Sequence, residues 1–441
     1  MMEIQNRIVS TLALVFGLAI VGCGTGDEPS DPPSPATGLI QTPVGELVRA
    51  EADRPDAPDT DQLDTAIAAN NAFGVDLFGE LAGSDDNLFL SPLSISQALT
   101  MVYAGARGDT AEQMADALGL AELPPDSVQE AMSALDRSLP RSPDAESPAP
   151  ARTFELSLAN ALWVQASYGV EPAFLETLAR GYGAGIRGLD FIGSAEPSRE
   201  LINAWAQDET QGKIEELLPR GSIDGLTRLV LTNAIHFDAA WEQPFDRLGE
   251  APFHLLDGSS EPIEMISRRG PAGFGHGDGY TICEITYRGG EYSMLLILPD
   301  EGNYEEIEAE LSTEFLDSAV EQLSEESDVA LAMPRFEFRS ELELEAPLRA
   351  LGMVDAFDPD AADLTGINRD AREQGLHISD VFHDAVVKVD EKGTEAAAAT
   401  GAVVGVVSAP ASSVTVDRPF LFAIRARESG AILFLGRLIE P

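Results

Sequence analysis

The spacing of apolar residues divides the chain into a helix-rich first part and a strand-rich second part. In Leu63–Leu81 the apolar side chains recur every three or four positions, which predicts an amphipathic helix. Leu93–Ala104 follows a Ser-Pro pair and is predicted as a second helix. A third is predicted over Thr110–Leu118, because Thr110 and Gln113 have the spacing of a capping box.

Runs rich in β-branched and aromatic residues predict that most strands lie in the second half of the chain. The predicted strands are Thr227–Phe237, Tyr280–Tyr287, Tyr292–Leu298, Val329–Phe338, Phe382–Val389 and Phe420–Ile439. Helices and strands are interspersed without a regular β-α-β alternation, so the predicted fold class is α+β. An acidic, proline-rich stretch over Leu139–Pro150 predicts a surface loop.

One apolar segment near the end of the chain, Glu391–Ser408, has an unusual composition. It contains no proline, and beyond Glu395 it carries no charge. Its alanines favour helix, whereas its valines favour strand. If the segment is a strand, one face contains only small or aliphatic side chains, those of Thr394, Ala396, Ala398, Thr400, Ala402, Val404 and Val406. The segment is therefore suited both to an exposed loop and to a strand buried inside a sheet.

The first residues have the features of an export signal. Arg7 precedes the apolar run Ile8–Val21, which is too short for a comfortable transmembrane helix and fits a signal-peptide core. The run ends in Ile-Val-Gly-Cys, which resembles a bacterial lipobox, so we expect residues 1–22 to be removed and Cys23 to be lipidated. The alternative is an ordinary signal peptide with an incidental cysteine. Residues 23–61 are predicted as a disordered, acidic, proline-rich tether, and residues 62–441 as the folded domain.

Composition excludes several classes of function. A net charge of −47 argues against nucleic acid as a partner, because phosphate binding needs clustered Lys and Arg. Among enzymes, the alternative hypothesis is a hydrolase, but the chain has only 5 histidines and lacks the G-x-S-x-G motif of a nucleophile elbow. No histidine pair has the spacing of a zinc motif, so no metal and no cofactor is expected. The second of the 2 cysteines, Cys283, lies in an alternating segment and is expected to be a buried structural thiol.

Several long segments resemble the serpin family, in the order in which that family has them. They are NLFLSPLSISQALTMVYAGARGDTAEQMADALGL from Asn87, NAWAQDETQGKIEELLP from Asn203, LTNAIHFDAAWEQPFD from Leu231, HISDVFHDAVVKVDEKGTEAAAAT from His377 and DRPFLFAIRARESGAILFLGRLIEP from Asp417. The resemblance implies the serpin fold, with three β-sheets, about nine helices and an exposed reactive-centre loop. It also implies a metastable protein that inhibits proteases and is not an enzyme.

The resemblance also assigns roles to individual residues. A polar cluster beneath the first sheet, termed the shutter, corresponds to Ser91, Ser94, Asn233 and His383. The alternative for these residues is ordinary hydrogen bonding of buried polar groups. Trp241 and Glu391 correspond to the breach, where loop insertion begins.

The family register, counted from Glu391, places the reactive bond at Val407–Ser408. In this family the target protease attacks the carbonyl of that bond and becomes trapped when the cleaved loop enters the sheet. Gly393 would allow the loop to bend. The hinge residues Thr394, Ala396, Ala398 and Thr400 carry neither charge nor proline, which suits rapid insertion and therefore an inhibitor.

Valine at the reactive position predicts an elastase-like or subtilisin-like serine protease as target. The stretch from Ser408 to Pro419 is about one residue longer than in common relatives, so cleavage after Val404, Val406 or Ser408 stays an alternative. The alternative hypothesis is a non-inhibitory serpin that serves as a surface binding lipoprotein. We expect a secreted monomer, attached to the envelope surface only through the lipid on Cys23, or released outside the cell.

Overall fold

The computed structural model describes residues 38–51, 60–83, 86–140, 154–210, 212–394 and 410–441. These segments contain ten α-helices. The helices are Thr60–Leu81 (α1), Pro92–Tyr103 (α2), Gly108–Ala117 (α3), Val128–Ser138 (α4), Pro172–Tyr182 (α5), Phe191–Glu209 (α6), Tyr304–Ala309 (α7), Thr313–Glu321 (α8), Glu345–Ala350 (α9) and Ala371–Gln374 (α10).

The same segments contain sixteen β-strands. They are Leu47–Val48 (β1), Leu88–Leu90 (β2), Phe154–Gln165 (β3), Ile186–Leu189 (β4), Leu229–Ala240 (β5), Asp246–His254 (β6), Ser260–Gly277 (β7), Tyr280–Thr286 (β8), Tyr292–Pro299 (β9), Ser324–Pro334 (β10), Phe336–Glu343 (β11), Ile378–Val389 (β12), Gly393–Thr394 (β13), Ser412–Thr415 (β14), Phe420–Ala426 (β15) and Ile432–Leu438 (β16). The interspersed helices and strands confirm the predicted α+β class.

The strands form two hydrogen-bonded networks within the described residues. Sheet A has seven strands in the order β1-β4-β3-β5-β13-β12-β11. Sheet B has nine, in the order β14-β10-β7-β8-β9-β15-β16-β2, with β6 also paired to β7. The third expected sheet is joined to the second through the long strand β7, because Ser260–Ser267 of β7 pairs with β6 and Gly273–Gly277 pairs with β8.

Helix α2 occupies the centre of the molecule between the two sheets. Every residue of Pro92–Tyr103 is buried, and the helix contacts β3 and β5 of sheet A as well as β16 of sheet B. Its start is fixed by Ser91, whose side chain accepts a hydrogen bond from the Ser94 amide, and by a proline in the first turn. On the opposite face of sheet A, a smaller apolar cluster packs Phe191 and Ile202 of α6 against Trp163, Val230 and Phe382.

Two of the segments that were each predicted as one strand form two strands in the structure. Val329–Phe338 is interrupted at Arg335, so β10 lies in sheet B and β11 lies in sheet A. Pro334 ends β10 because it lacks an amide hydrogen, and the Arg335 amide donates instead to the Glu264 carbonyl at 2.7 Å. Phe420–Ile439 is the hairpin of β15 and β16, whose turn contains Gly430 at a φ of 73°.

The predicted capping box of α3 is wrong. The N-cap residue is Arg107, which makes no side-chain cap. The Thr110 hydroxyl accepts from the Asp363 amide at 2.9 Å, and the Gln113 carbonyl oxygen accepts from the amides of Val354 and Asp355. The two polar side chains therefore bind a distant loop rather than their own helix.

Residues 38–51, here called the arm, differ from the sequence prediction. Strand β1 of the arm pairs with β4 at the edge of sheet A, and Ile40 exchanges two backbone hydrogen bonds of 2.8 Å with Val170 in the loop after β3. Thr42 is buried, and its hydroxyl donates to backbone carbonyls at 3.1 and 3.3 Å. The prediction of a disordered tether up to Asp61 is therefore wrong for the arm.

Candidate functional site

The candidate site is the upper part of sheet A, where β5 and β12 separate. Lower down, Ile378–Asp384 of β12 pairs directly with β5 in parallel. Above this, β13 lies between the two strands: Thr394 pairs with Val389 of β12 and Ala239 of β5, and Gly393 pairs with Ala240. Two residues of the predicted hinge, Gly393 and Thr394, are thus already a strand in the interior of the sheet.

The environment of β13 explains why these two residues are small. A Cβ atom on Gly393 would lie 2.1 Å from the Ala239 carbonyl oxygen, so only glycine fits without moving β5. Thr394 is 3% exposed, and its hydroxyl shares a hydrogen bond of 2.7 Å with the Tyr287 hydroxyl. Burial raises the pKa of Tyr287, so its hydroxyl stays protonated and available as a donor.

Trp241, assigned to the breach, contacts the turn between β12 and β13. Its indole nitrogen donates to the Asp390 carbonyl at 3.0 Å, and its amide donates to the Lys392 carbonyl at 2.8 Å. The ring is fully buried and stacks on Tyr287 at a centroid distance of 4.5 Å. Trp241 therefore fixes both the start of the hinge and the tyrosine that holds Thr394.

Glu391 lies in the same turn. Its carbonyl accepts from the Phe245 amide at 2.7 Å, and its carboxylate lies 3.7 Å from the Arg335 guanidinium. Because both side chains are partly exposed, this ion pair contributes little stability. The backbone contact is the stronger constraint on the turn.

The four predicted shutter residues meet beneath β5 and β12. The Ser91 amide donates to His383 Nε2 at 3.1 Å. On the other side of the ring, His383 Nδ1 is 2.6 Å from Asn233 Oδ1. Asn233 Nδ2 donates to the Ser94 hydroxyl. All four residues are buried, and the His383–Asn233 bond joins the two strands between which the hinge lies higher up.

The hydrogen bonds define the state of His383. Since Nε2 accepts from the Ser91 amide, the neutral ring carries its proton on Nδ1, which donates to Asn233. Burial lowers the pKa of His383 to about 3, so the ring is neutral at physiological pH. A neutral ring with one donor and one acceptor satisfies both neighbours without a buried charge.

Sequence reasoning missed Asn160, a fifth member of this cluster. Its Oδ1 accepts from the Ser94 hydroxyl at 3.0 Å and from Asn233 Nδ2 at 2.7 Å, and its Nδ2 donates to the Ser94 carbonyl at 3.2 Å. The signal in the sequence was a lone polar residue within the apolar stretch Ala159–Val164 of β3. Only the pairing of β3 with β5, which places Asn160 opposite Asn233, shows its partners.

Several predicted site residues lie outside the described residues. They are the hinge residues Ala396, Ala398 and Thr400, the reactive-bond residues Val407 and Ser408, and the lipidation site Cys23. Cys283 is described and buried, as predicted, and burial raises the pKa of its thiol to about 12.

Within the described segments, no group of three or more His, Cys, Asp or Glu side chains is placed to hold a metal ion. None of the helices in those segments combines the length and the apolar character needed to cross a bilayer.

Comparison with known sequences gives the family. Residues 68–441 match the sequence profile described as Serpin (serine protease inhibitor). The leukocyte elastase inhibitor of Bos taurus is 38% identical over 392 residues, which cover 86% of this chain and 100% of that protein. An uncharacterized serpin-like protein of Methanosarcina acetivorans is 34% identical over 378 residues, 85% of each chain.

Solved structures agree with the sequence comparison. Uncleaved ovalbumin has a TM-score of 0.76 and 28% identity, over 86% of this chain and 100% of ovalbumin. The thermophilic serpin tengpin, in its native state, has a TM-score of 0.77 and 26% identity, over 89% of this chain and 98% of tengpin. Because the residues that match the profile include every strand of both sheets except β1, the chain belongs to the serpin family, the serine protease inhibitors.

Proposed function

We propose that this chain inhibits serine endopeptidases as a suicide substrate whose cleaved loop inserts into sheet A. The observation that carries the proposal is β13. Gly393 and Thr394 are hydrogen-bonded on both sides between β5 and β12, and the residues that follow, up to Ser408, are free of proline and, after Glu395, of charge. Each further residue that enters the sheet gains backbone hydrogen bonds without burying a charge.

In the proposed reaction the protease serine attacks the Val407 carbonyl and forms an ester, and the bond to the Ser408 nitrogen breaks. The proton from the serine hydroxyl passes through the protease's histidine to the amine of Ser408. The chain that ends at Val407 is then free to extend β13 down the sheet. The attached protease is carried along and distorted before water hydrolyses the ester.

The register of β13 predicts where each hinge residue goes. Continued antiparallel pairing with β12 and β5 places Thr400 between His383 and Asn233. These two side chains are now bonded to each other, so insertion separates them, and the Thr400 hydroxyl replaces the lost partner. Glu395 falls opposite Lys388, a residue whose side chain is one-third exposed, so its charge stays on the solvent side of the sheet.

Valine at position 407 favours a small aliphatic specificity pocket, as in elastase-like or subtilisin-like proteases. The similarity to leukocyte elastase inhibitors supports this choice. The lipobox-like sequence before Cys23 supports lipid attachment and an envelope-surface location. We propose that Cys23→Ser releases the protein into the medium as a monomer, and cell fractionation with mass spectrometry of the mature N-terminus tests this.

The test of the inhibitor is to mix the full chain with an elastase and to analyse the products on denaturing gels and by mass spectrometry. We expect a stable band at the summed mass of the protease and the cleaved chain, with a released peptide that begins at Ser408. A peptide that begins one or two residues away would move the reactive bond. Complete cleavage without a complex, with elastase and subtilisin alike, would instead support a non-inhibitory surface protein.

A further inference from the structure

The two ends of sheet A differ in what they carry. Strand β5 runs from Leu229 to Ala240, and Ala240 pairs with Gly393 of β13 at the upper end. Leu229 lies eleven positions before Ala240, so the other end of the sheet is about 36 Å away from β13. This end, at Leu229, is here called the lower end.

The arm begins at the lower end. One row of paired residues crosses the sheet there: Leu229 pairs with Val164, Val164 with Gly188, and Gly188 with Val44 of the arm. The following strand β1 pairs with Arg187 and then with the residue before it, so the arm runs upward from this row. The chain that precedes residue 38 is therefore joined to the lower end of sheet A, far from β13.

Exposed apolar side chains lie close together at this end. Val44, Ile192 and Leu226 are 56%, 53% and 74% exposed. The Ile192 amide donates to the side chain of Gln165, the last residue of β3, and a Cβ on Gly225 would lie 3.6 Å from the Ile192 carbonyl oxygen. Single exposed apolar residues are common on protein surfaces, whereas neighbouring ones mark a contact surface. The three residues are here called the lower patch.

The charges of the chain restrict what the lower patch contacts. Two charged side chains beside it bond to the backbone: Asp224 accepts from the Leu226 amide at 2.7 Å, and Arg228 donates to the Thr227 carbonyl at 3.0 Å. The chain as a whole has a net charge of −47, which repels an anionic surface. The lower patch is therefore suited to an apolar or zwitterionic partner.

The proposed lipid on Cys23 supplies such a partner. Fourteen residues, 24–37, separate Cys23 from Gly38, and a chain of that length reaches at most about 50 Å. We propose that the lower patch of the lipid-anchored chain contacts a zwitterionic membrane surface and turns the end of sheet A that carries β13 away from the membrane, towards proteases in solution. This orientation rests on the lipid attachment in the proposed function. Three side chains are too few to hold the chain without the lipid, so Cys23→Ser still releases it.

Trapping a protease ends this contact. Each step along the inserted loop moves one step down β5, so Thr394 opposite Ala239 puts Val404 opposite Leu229, and Val407 with its attached protease emerges at the lower end. A globular protease of about 200–250 residues is about 45 Å across. The complex therefore fits only if the domain lifts from the membrane, and the fourteen residues before the arm are long enough to allow this.

The test uses the full lipid-modified chain on phosphatidylcholine vesicles that contain a nitroxide-labelled lipid. A fluorescent dye is attached at Gly225→Cys, at the lower end, or at Arg288→Cys, an exposed position whose amide bonds to the Ala240 carbonyl at the upper end. Cys283 is buried and does not compete for the dye. We expect quenching at least about threefold stronger at position 225 than at position 288. Equal quenching, or stronger quenching at position 288, overturns the orientation.

Variants identify the contact. The Ile192→Ser/Leu226→Ser double variant is expected to lower the quenching at position 225 about threefold, to the level at position 288. Leu256→Ser is the matched control, because Leu256 is a half-exposed leucine in the turn between β6 and β7 of sheet B, and it should change nothing. Circular dichroism and urea unfolding show that each variant is folded. Unchanged quenching in the double variant contradicts the assignment.

The same dye detects a second copy of the chain as the occupant of the lower patch. Emission at position 225 is measured in the Cys23→Ser background without vesicles, over a range of protein concentrations. We expect no dependence on concentration and a monomer by light scattering. A dimer that shields the dye would make the lower patch an interface between copies and overturn the membrane contact.

The consequence for trapping is measured separately, by adding elastase to the vesicles. We expect the quenching at position 225 to fall as the complex forms. Deletion of residues 27–36 leaves a reach of about 14 Å, so it should lower the yield of complex on vesicles and leave the yield unchanged in the Cys23→Ser background. An unchanged yield on vesicles overturns the lifting step.

Two further outcomes separate the orientation from the inhibition. If no protease forms a complex, the proposed inhibition fails, and the quenching on vesicles still decides the orientation. If mass spectrometry finds no lipid on Cys23, the orientation is overturned, and the assay with elastase in solution still decides the inhibition.

Discussion

Sheet A gains a two-residue strand at two places, and the two additions differ in what they allow. Strand β13 lies in the interior, with partners on both sides, and β1 lies at the outer edge with β4 as its one neighbour. Both depend on glycines: Gly393 lies against Ala239, and a Cβ on Gly188 would lie 2.5 Å from the Thr42 carbonyl oxygen. The interior strand can be extended one residue at a time between β5 and β12, whereas the edge strand covers the outer side of β4.

The chemistry of the flanking residues matches this difference. From Ala396 to Ser408 the side chains are small or aliphatic and uncharged, as entry into a sheet interior demands. The arm around β1 keeps Ile40, Val44 and Leu47 more than a third exposed, which only an edge tolerates. The arm also covers backbone groups of β4 that would otherwise be open to pairing with another chain. We infer that the interior addition serves the reaction and the edge addition serves stability.

The largest expected effect tests the interior position. Thr394→Arg places a charge where the hydroxyl of Thr394 now contacts Tyr287 inside the sheet, and an unpaired buried charge costs several kcal/mol. We expect cleavage by elastase to continue, with complex formation reduced by about a hundredfold or more. Gel analysis of the products measures both.

The matched control is Thr415→Arg, the same change at an exposed position of a strand in sheet B. It should leave the yield of complex unchanged. Equal complex formation in wild-type and Thr394→Arg chains would show that β13 does not begin the inserted strand.

The next effect concerns pH and the shutter. The pKa of His383 is about 3 in the folded chain and about 6.5 when exposed, so the unfolded chain binds the proton first as pH falls. His383 therefore contributes stability that is complete above pH 6.5 and decreases as pH falls from there towards 3. The slope approaches about 1.4 kcal/mol per pH unit.

The measurement is urea unfolding between pH 4 and 8 for the wild type and for His383→Gln, which keeps an amide but does not titrate. Burial also raises the pKa values of Asp380, to about 7, and of Asp384. These two carboxyls act in the opposite direction, since their contribution decreases as pH rises. The difference between the two chains isolates His383, and a difference independent of pH would refute the neutral buried ring.

The third effect tests the edge. Gly188→Ala forces the arm away from β4, and we expect a loss of about 2 kcal/mol in unfolding free energy and association of the chain on warming. Gly79→Ala is the contrast: a Cβ there meets nothing within 4 Å and lies inside α1, so stability should rise by up to about 1 kcal/mol. Unfolding curves and light scattering measure both variants. A neutral Gly188→Ala would mean that the arm adds nothing.

The smallest effect refines the interior position. Tyr287→Phe removes the hydroxyl that bonds Thr394 and leaves the stacking on Trp241 intact. We expect a loss of about 1 kcal/mol in stability, because the Thr394 hydroxyl remains buried without this partner. Urea unfolding gives the value, and the Tyr287→Phe/Thr394→Val double variant should recover most of the loss. Additive losses in the double variant would argue against a direct bond.

The sequence predicted local features well and long-range ones poorly. The helices α1 and α2 and the strands β8, β9 and β12 lie close to their predicted positions, because period and composition act over a few residues. Val329–Phe338 was predicted as one strand because its composition is uniform on both sides of Arg335. Its division between two sheets follows from different partners on the two sides of Arg335, since β10 pairs with β7 and β11 pairs with β12, both distant in sequence.

The sequence by itself determined the family, and it predicted the shutter and breach residues and a segment suited to move from solvent into the inside of a sheet. These follow from residue type at fixed positions. Only the tertiary structure decided that Gly393 and Thr394 are already inserted, that the arm belongs to sheet A, and that Asn160 joins the shutter. Each depends on a backbone or side-chain partner that sheet pairing brings close, and the sequence of one segment does not identify that partner.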